Sequence, residues 1–404
     1  MRDIDLLQLA LGLVPPWMVA AADFDAEKKR LDIEIDFKTG GRFPCPDCGK
    51  ASCPVHDTVK KTWRHLDFFQ HQAFLHAGVA RIDCRNCGVR LVNVPWARPG
   101  SGFTLLFEAF AMTLVTAMPV AAAARLVGEH DTRLWRVVLH YVEKAVARMD
   151  LADLRRVAID ETAAKRGHNY ITLFVDIDAR KVVYVAEGRG AETVARFADH
   201  VDDHNWDASR IKQVCIDMSA AYIKGVTDNL TEAEITFDKF HAVKLVNDAV
   251  DKVRRAESKG RPELKRSRYL WLRNEPSLSA ESRAQLAALT RLHLKTARAY
   301  RIRLAFQEVY SQPNWDWGAR FLDRWYSWAI RSRLEPIKEA ARTIKKHRDG
   351  ILAWFDSHIA NGLIESINSL VQAAKAKARG YRSLRNLVAI TYLIAGKIDI
   401  RLPT

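Results

Sequence analysis

Three acidic residues that are far apart in the sequence each lie on an element that suits a metal ligand. Asp160 closes the apolar run Arg-Val-Ala-Ile-Asp (156–160), and Asp217 closes Gln-Val-Cys-Ile-Asp (213–217), so we expect both carboxylates at the ends of buried strands. Glu365 lies in a helical pattern over 361–370. Mg²⁺ prefers oxygen ligands, and two such ions stabilise the attacking and leaving oxygens of an in-line phosphoryl displacement. The three residues therefore indicate a metal-dependent nuclease site.

Each of these carboxylates also has a structural interpretation. Asp160 fits a cap or turn residue, Asp217 fits the cap of the following helix, and Glu365 resembles any exposed helical glutamate. The position of Asp160 at a strand end, beside a second acid, favours the metal site. The nearest competing ligands are Glu161, Asp176 and Asp178.

Four of the six cysteines form two matched pairs, Cys-Pro-Asp-Cys-Gly and Cys-Arg-Asn-Cys-Gly, with 35 residues between them. Each pair allows two thiolates to bind one tetrahedral ion from a tight turn, which predicts a structural zinc site. Redox or merely buried pairs are the alternative, and they leave the matched glycines unexplained. Cys53 and His56 also stand at ligand spacing, but two pairs already complete a site. The predicted ligands are Cys45, Cys48, Cys84 and Cys87.

Composition points to a polyanionic partner. The 404 residues carry 63 Lys and Arg against 48 Asp and Glu, a net charge of +15, which favours nucleic acid over a role in solubility alone. The length allows about two or three domains, and 48% apolar residues are enough for packed cores. The basic excess is clustered, and the two runs are Arg291, Lys295, Arg298, Arg301 and Arg303, and Lys375, Lys377, Arg379, Arg382 and Arg385.

Targeting features are not found in the sequence. No window reaches the roughly 18 apolar residues of a membrane span, and the first five residues lack the order of a secretory signal. We therefore expect a cytoplasmic, nucleoid-associated protein that makes no contact with a membrane and has reduced cysteines.

Residues 119–146 have the pattern of a helix-turn-helix. An alanine-rich helix over 120–127 is followed by a turn at 128–130 and a second helix that is capped by Asp131. Leu134, Val138, Tyr141 and Val142 would pack inward, although any helical hairpin shows such spacing. The outer side, which a recognition helix turns to the major groove, would carry Arg133, Arg136 and His140.

The remaining elements predict a multidomain α+β protein. A short apolar helix at 6–13 and an alternating strand at 31–37 precede the zinc module, and a helix over 103–118 should pack Phe107, Phe110 and Leu114 on one side. Strands at 156–160, 170–177 and 181–187 form an antiparallel set. Strands at 211–217 and 233–240 then alternate with helices. This order is that of a ribonuclease-H-like α/β core, with Asp160 on its first strand and Asp217 on its fourth.

The motifs together resemble the ISL-three family of bacterial insertion-sequence transposases, of the DDE class, over nearly the full length. They are the two cysteine knuckles, the helix-turn-helix, Ile-Asp-Glu (159–161), Ile-Asp-Met-Ser (216–219), Phe-Asp-Lys-Phe-His (237–241) and Ile-Glu-Ser-Ile-Asn (364–368). The family places a Cys or Asp shortly before a His after the fifth strand, which Asp238 and His241 match. This implies that His241 lies near the scissile phosphate, although a structural histidine is the alternative.

The resemblance also implies a domain plan. The segments are 1–97 (N-terminal segment and zinc module), 98–150 (helix-turn-helix), 151–258 (first part of the core), 259–350 (all-helical insertion) and 351–404 (final core helices). The insertion contains Trp315, Trp317, Trp325 and Trp328, which are expected to be core residues rather than a platform for bases. The basic tail beyond Glu365 would contact the DNA backbone through Lys375, Lys377, Arg379 and Arg382.

The implied activity is binding of the terminal inverted repeats, cleavage at the element ends and strand transfer. Asp160, Asp217 and Glu365 would hold two Mg²⁺ ions, with Mn²⁺ as an alternative, and the protein would act as a homodimer on double-stranded DNA. Two other functions share these features: a zinc-containing DNA-binding regulator without activity, and a structure-selective nuclease. The intact acidic triad argues against the first of them.

Overall fold

The computed structural model describes residues 3–165, 167, 169–204, 206–359 and 362–403. The chain forms two compact units, Met1–Ala145 with Ile400–Thr404, and Val146–Asp399. Within the described ranges, none of the helices combines the length and apolar content that crossing a bilayer requires.

The first unit is built on a six-stranded sheet with the order β1-β2-β5-β4-β3, in which β6 also pairs with β5. Strand β5 buries alternate residues, including Ala73, Leu75, Ala77 and Val79, because one face of the sheet covers the core. The elements are helix α1 (Asp3–Ala10) and strands β1 (Trp17–Asp25), β2 (Arg30–Phe37), β3 (Arg42–Phe43), β4 (Cys53–Arg64), β5 (Gln72–Cys84) and β6 (Gly88–Leu91). Helix α1 ends three residues before the predicted end at 13.

Three helices complete this unit: α2 (Leu105–Ala117), α3 (Val120–Leu126) and α4 (Asp131–Val146). Helices α3 and α4 lie where the helix-turn-helix pattern predicted them, and α4 buries Leu134, Val138, Tyr141 and Val142. The predicted inner face of α2 was wrong. Phe110 is 44% exposed, because the packed stripe of α2 instead runs through Phe107, Ala111 and Val115 at four-residue spacing.

The second unit is built on a five-stranded sheet with the order β11-β10-β7-β8-β9. Strands β7, β8 and β9 pair antiparallel, whereas β7, β10 and β11 pair parallel. This is the ribonuclease-H-like arrangement. The strands are β7 (Arg156–Lys165), β8 (Asn169–Asp176), β9 (Lys181–Glu187), β10 (Gln213–Ile216) and β11 (Glu234–Phe237), and helices α5 (Ala191–Asp203) and α6 (Ala220–Asn229) connect them.

Two predicted strand ends were wrong in this sheet. Strand β7 continues to Lys165 because residues beyond Asp160 still pair with β8, so Asp160 lies in the middle of its strand. Strand β11 ends at Phe237 because the Asp238 side chain accepts a hydrogen bond from the Phe240 amide and caps the next helix.

Helices supply most of the remaining structure, including the all-helical insertion that interrupts the core. They are α7 (Lys239–Glu257), α8 (Arg268–Leu272), α9 (Ala280–Arg291), α10 (Lys295–Gln307), α11 (Trp315–Ile330), α12 (Glu335–Lys346), α13 (Arg348–Leu352), α14 (Trp354–Ser357), α15 (Gly362–Lys377) and α16 (Leu384–Ala395).

Two expectations about side chains in the insertion do not hold. Of the four tryptophans expected in the core, only Trp325 is buried, and Trp315, Trp317 and Trp328 are exposed. Arg303, the last member of the first basic run, is 1% exposed. It is held by hydrogen bonds to Asn247 and to the Leu272 carbonyl.

Candidate active site

Asp160 of β7 and Asp217, the residue directly after β10, occupy matching positions beside each other. Cys215 of β10 pairs with Ala158 of β7, so two residues further along each strand Asp217 stands beside Asp160. Ile216 pairs with Phe237 of β11, which brings Asp238 level with Asp217. Because neighbouring strands are about 4.8 Å apart, the register gathers three acids beside the carboxyl ends of β10 and β11.

These side chains line a narrow cleft together with two residues from helices. The lining includes Asp160, Asp217, Asp238, His241 and Ile364. The cleft therefore joins residues from the parallel strands β7 and β10, from the start of α7 and from the start of α15.

Asp160 is partly buried, and each of its oxygens accepts one hydrogen bond. Its Oδ1 accepts from the Glu161 amide at 2.9 Å, and its Oδ2 accepts from Nδ2 of Asn368 at 2.7 Å. Burial raises the pKa of Asp160 to about 6, well above the ordinary 3.8, because charging it in this environment is unfavourable. A bound cation would offset that cost.

Asp238 orients His241. Its Oδ1 accepts from the Phe240 amide at 2.8 Å, and its Oδ2 lies 2.5 Å from Nδ1 of His241. Since Asp238 is only 3% exposed, both of its oxygens are committed within the protein. This hydrogen bond raises the pKa of His241, and the charges of Asp160 and Asp217 act in the same direction.

Helix α15 runs along β7 and is fixed to it by side-chain hydrogen bonds. Asn368 reaches Asp160, Gln372 donates to Thr162 Oγ1 at 2.7 Å, and Lys375 donates to the Ala163 carbonyl at 2.6 Å. Glu365 lies one turn before Asn368, next to the cleft-lining Ile364, and its side chain is exposed. The structure thus brings Asp160 and Asp217 together and places Glu365 in the first turn of the adjoining helix.

Asn368 was missed by the sequence interpretation, although it lies within the motif Ile-Glu-Ser-Ile-Asn. The available signal was its spacing, because residues three apart on a helix are neighbours on its surface. An amide there fits a residue that positions a carboxylate.

The three competing acids are engaged elsewhere. Glu161 follows Asp160 directly and so points to the opposite face of the sheet. There burial, and to a smaller extent Glu161, raises the pKa of Tyr222. Asp176 accepts from the amides of Asp178 and Ala179. Asp178 forms an ion pair with Arg156.

The four predicted zinc ligands lie together in the first unit. The Sγ atoms of Cys45, Cys48, Cys84 and Cys87 are all within 4.8 Å of one another. Both knuckle turns end in glycines with positive φ, 71° at Gly49 and 72° at Gly88, a conformation that glycine adopts without strain. Four clustered thiols match the tetrahedral donor set of structural zinc.

Cys53 and His56 stay outside this cluster. Cys53 is buried and its Sγ lies 3.5 Å from the Lys50 carbonyl oxygen. His56 is exposed, and its Nδ1 lies 3.4 Å from the Asp57 carboxylate.

The outer side of α4 presents its predicted basic residues unequally. Arg136 is exposed. The Arg133 side chain forms an ion pair with Glu129 at 2.5 Å, and its guanidinium lies 4.2 Å from the Phe103 ring centroid. His140 is partly buried against Tyr141, and this burial lowers its pKa.

The basic tail begins on α15 and continues past its end. Lys375 is anchored on the Ala163 carbonyl, whereas Lys377, Arg379 and Arg382 have exposed side chains. The main-chain carbonyl of Arg382 accepts from Lys165 at 2.5 Å. The tail is therefore attached to the end of β7, the strand that carries Asp160.

The donors of the cleft fit a hard divalent cation. In the described part of the chain, neither Asp160 nor Asp217 forms an ion pair with Lys or Arg. Carboxylate oxygens are the ligands that Mg²⁺ prefers. Among the described His, Cys, Asp and Glu residues, the four clustered cysteines are the one group of three or more whose ligand atoms all lie within 4.8 Å of one another.

Comparison with known families gives three matches. Residues 157–391 match a family model described as transposase, residues 92–142 match the helix-turn-helix domain of transposase family ISL3, and residues 41–87 match the zinc-finger of transposase IS204/IS1001/IS1096/IS1165. The three matches follow the order of the zinc cluster, the helical pair and the cleft along the chain.

Curated relatives match over most of their length. The transposase for insertion sequence element IS1557 of Mycobacterium tuberculosis is 30% identical over 431 residues, covering 97% of this chain and 96% of the relative. The transposase for IS1001 of Bordetella parapertussis is 28% identical and covers 84% of this chain and 85% of the relative. A solved Drosophila P element transposase strand transfer complex is 14% identical with a TM-score of 0.41, covering 74% of this chain and 93% of that one. Because the transposase family model matches more than half of its length, the chain belongs to the ISL-three family of insertion-sequence transposases.

Proposed function

We propose that this DNA transposase cuts and joins DNA through a magnesium-dependent reaction in the cleft between β7, β10 and α15. Asp160, Asp217 and Glu365 are the proposed ligands. The observation that carries the proposal is the register of β7 with β10, which brings Asp160 and Asp217 side by side without a Lys or Arg partner in the described residues. Glu365 comes from the helix whose Asn368 holds Asp160.

The residues of the cleft have different proposed roles in the reaction. Bound Mg²⁺ would activate the attacking water and stabilise the charge on the phosphodiester oxygens. Asp160 and Asp217 would hold the cation at the cleft, and Asn368 would keep Asp160 in place. Asp238 holds His241 with its Nδ1 hydrogen bonded, so the imidazole would offer its other nitrogen to a phosphate oxygen.

The proposed reaction has two displacements at phosphorus. In the first, the water oxygen bonds to phosphorus, the bond from phosphorus to the 3′ oxygen breaks, and a 3′ hydroxyl is released. In the second, that 3′ oxygen attacks a phosphodiester of the target DNA and displaces another 3′ oxygen. Neither step requires a covalent bond to the protein.

DNA binding is assigned to the two basic regions. Arg136, with Arg133 and His140 on the same side of α4, would contact the terminal inverted repeats. Lys375, Lys377, Arg379 and Arg382 would contact the backbone near the cleft. Joining two ends implies a homodimer on DNA, acting in the bacterial cytoplasm, and the five-segment division given above (1–97, 98–150, 151–258, 259–350, 351–404) is the domain plan that we propose.

The test is cleavage of a labelled DNA fragment that carries the element ends, with and without Mg²⁺. We expect cutting at the end boundaries by the wild type, loss of cutting in Asp217→Asn, and normal cutting in Asp228→Asn, a control on the exposed surface of α6. Sequence-specific binding with no cutting by the wild type would instead indicate an inactive regulator. Cutting that follows branched shape rather than end sequence would indicate a structure-selective nuclease.

A further inference from the structure

Helix α11 exposes an unusual set of side chains to solvent. Trp317 is 50% exposed and Trp328 is 42% exposed, although large aromatic residues normally face a core. The residues between and beside them on the same side are basic or aromatic. The aromatic–arginine face, as we name it, consists of Trp317, Arg320, Phe321, Arg324, Trp328 and Arg331.

Helical geometry places these six side chains in one stripe. At 100° per residue they fall within roughly 100° of arc, and Trp317 and Trp328 are separated by about 16 Å along the axis. The two acids of α11, Asp316 and Asp323, lie roughly 100° away from the centre of the stripe. Asp323 is already paired with Lys345 and Arg348.

Packing of α11 does not use this face. The residues that α11 buries lie outside this stripe and are Ala319, Leu322, Trp325 and Ala329, and the Trp325 indole donates to the Ile302 carbonyl at 2.9 Å. The exposed parts of Trp317 and Trp328 are therefore not used in this packing.

Two of the three arginines of the face lie near its aromatic rings. The guanidinium of Arg320 is 5.9 Å from the Trp317 ring centroid, and that of Arg324 is 6.0 Å from the Phe321 centroid. Among the described residues, none of the three arginines of the face forms an ion pair with a carboxylate. The face thus combines flat apolar surfaces with unpaired positive charge.

We propose that the aromatic–arginine face binds unpaired nucleotides of the DNA substrate. Bases would stack on Trp317 and Trp328, and Arg320, Arg324 and Arg331 would contact the phosphates between them. Stacking on aromatic rings within a basic surface is how proteins hold single strands without reading sequence. A continuous duplex offers stacked bases only at its ends, so the face should prefer frayed or tailed DNA.

A second copy of this chain fits the face less well. A two-fold contact through one surface sets that surface against itself, and here it would bring arginines together without an acid between them. The charge of the face instead complements a polyanion. The proposal rests on the proposed function, because it names the part of the DNA substrate that the insertion holds.

The test compares two DNA probes by fluorescence anisotropy, without added divalent metal. One is a flush-ended duplex, and the other is the same duplex with eight unpaired nucleotides on one strand. We expect Trp317→Ala/Trp328→Ala to weaken binding of the tailed probe at least tenfold and binding of the flush probe less than twofold. Trp317→Phe/Trp328→Phe, which keeps aromatic rings, should retain most of the affinity.

Trp315→Ala is the matched control, because Trp315 is 38% exposed on the same helix but points away from the stripe. The proposal is wrong if the double alanine variant loses affinity for both probes equally, or if neither variant changes binding. It is also wrong if Trp315→Ala weakens binding of the tailed probe as much as the double alanine variant does. It is also wrong if the double variant dissociates DNA-free oligomers in sedimentation, since the face would then be a protein interface. Because the measurement needs no cleavage, an inactive wild type would leave its result unaffected.

Discussion

Asn368 donates a 2.7 Å hydrogen bond from Nδ2 to Oδ2 of Asp160, which joins two residues that are 208 positions apart in the sequence. The bond connects the helix that carries Glu365 to the strand that carries the first acid of the cleft. The spacing between these two proposed ligands therefore depends on an amide that itself bears no charge.

Replacing Asn368 with Ala should lower cleavage by roughly 10–100-fold, the usual effect of losing a residue that positions a metal ligand. Asp160 would lose a donor to its charged form, so its pKa should rise further and the pH–rate profile should move to higher pH. The measurement is the cleavage rate against Mg²⁺ concentration at several pH values.

Asn368→Asp and Ser369→Ala complete that experiment. The aspartate keeps the shape but adds a second negative charge next to Asp160, so it should be worse than alanine at neutral pH. Ser369 is the next residue and is exposed, so its substitution should have no effect. An Asn368→Ala protein with a wild-type rate and pH profile would show that Asp160 needs no positioning.

Asp160→Asn should stabilise the metal-free protein at neutral pH. The folded pKa of about 6 lies above the ordinary 3.8, so the folded state opposes ionisation and the wild type loses stability as pH rises from about 4 to 6. At ~1.4 kcal/mol per pKa unit, the variant should gain about 1–3 kcal/mol above pH 6 and nothing near pH 4. Thermal melts over this pH range measure the gain.

The environment of Asp160 can accept this substitution. Within the described residues, Oδ1 of Asn368 is buried without a hydrogen-bond partner. The side-chain amide of Asn368 can therefore rotate by about 180°, so that its Oδ1 accepts a hydrogen bond from the amide introduced at position 160. Asp228→Asn, on an exposed surface, should show no such pH dependence. An equal gain at pH 4 and pH 7 would mean that burial of charge is not the cause.

Local pattern predicted much of the fold. The strands and helices of the core, the two cysteine knuckles and the pair α3 and α4 follow from short-range periodicity and turn residues. Prediction failed where polar residues of a site interrupt an apolar run: β7 continues past Asp160 because its pairing with β8, which the local sequence does not encode, holds it extended.

Long-range contacts account for the other differences. Arg303 looked like a surface cation, but it is buried because Asn247 and the Leu272 carbonyl come to it from other elements. The spacing of Asn368 places it beside Glu365 on α15, but it does not predict the contact with Asp160, because Asp160 is distant in sequence. Trp317 and Trp328 were expected inside because residue type alone suggests burial, whereas helical phase turns them roughly 60–80° away from the buried Trp325.

Removing the zinc should unfold the zinc module of the first unit. Four thiols within 4.8 Å of one another repel as thiolates unless a cation binds them, and structural zinc commonly supplies the folding free energy of such modules. We expect one zinc per chain, and a chelator or Cys84→Ser should abolish it and lower the melting temperature. Metal analysis and calorimetry measure both effects.

Cys53→Ser tests whether that loss is specific. Cys53 is buried close to the cluster but outside it, so zinc content should stay at one per chain with only a small loss of stability. A drop in zinc content equal to that of Cys84→Ser would place Cys53 among the ligands.

Arg136 and Arg133 should separate DNA binding from stability. Arg136 is exposed on α4, so Arg136→Ala should weaken binding to the element ends about tenfold while leaving the melting temperature unchanged. Arg133 pairs with Glu129 and covers the Phe103 ring, so Arg133→Ala should cost about 1–2 kcal/mol of stability. Glu129→Gln should share that loss, because it breaks the same ion pair and leaves Arg136 in place. If Arg133→Ala weakens DNA binding with no change in melting temperature, the ion pair must open on DNA, and Arg133 would then belong to the recognition surface.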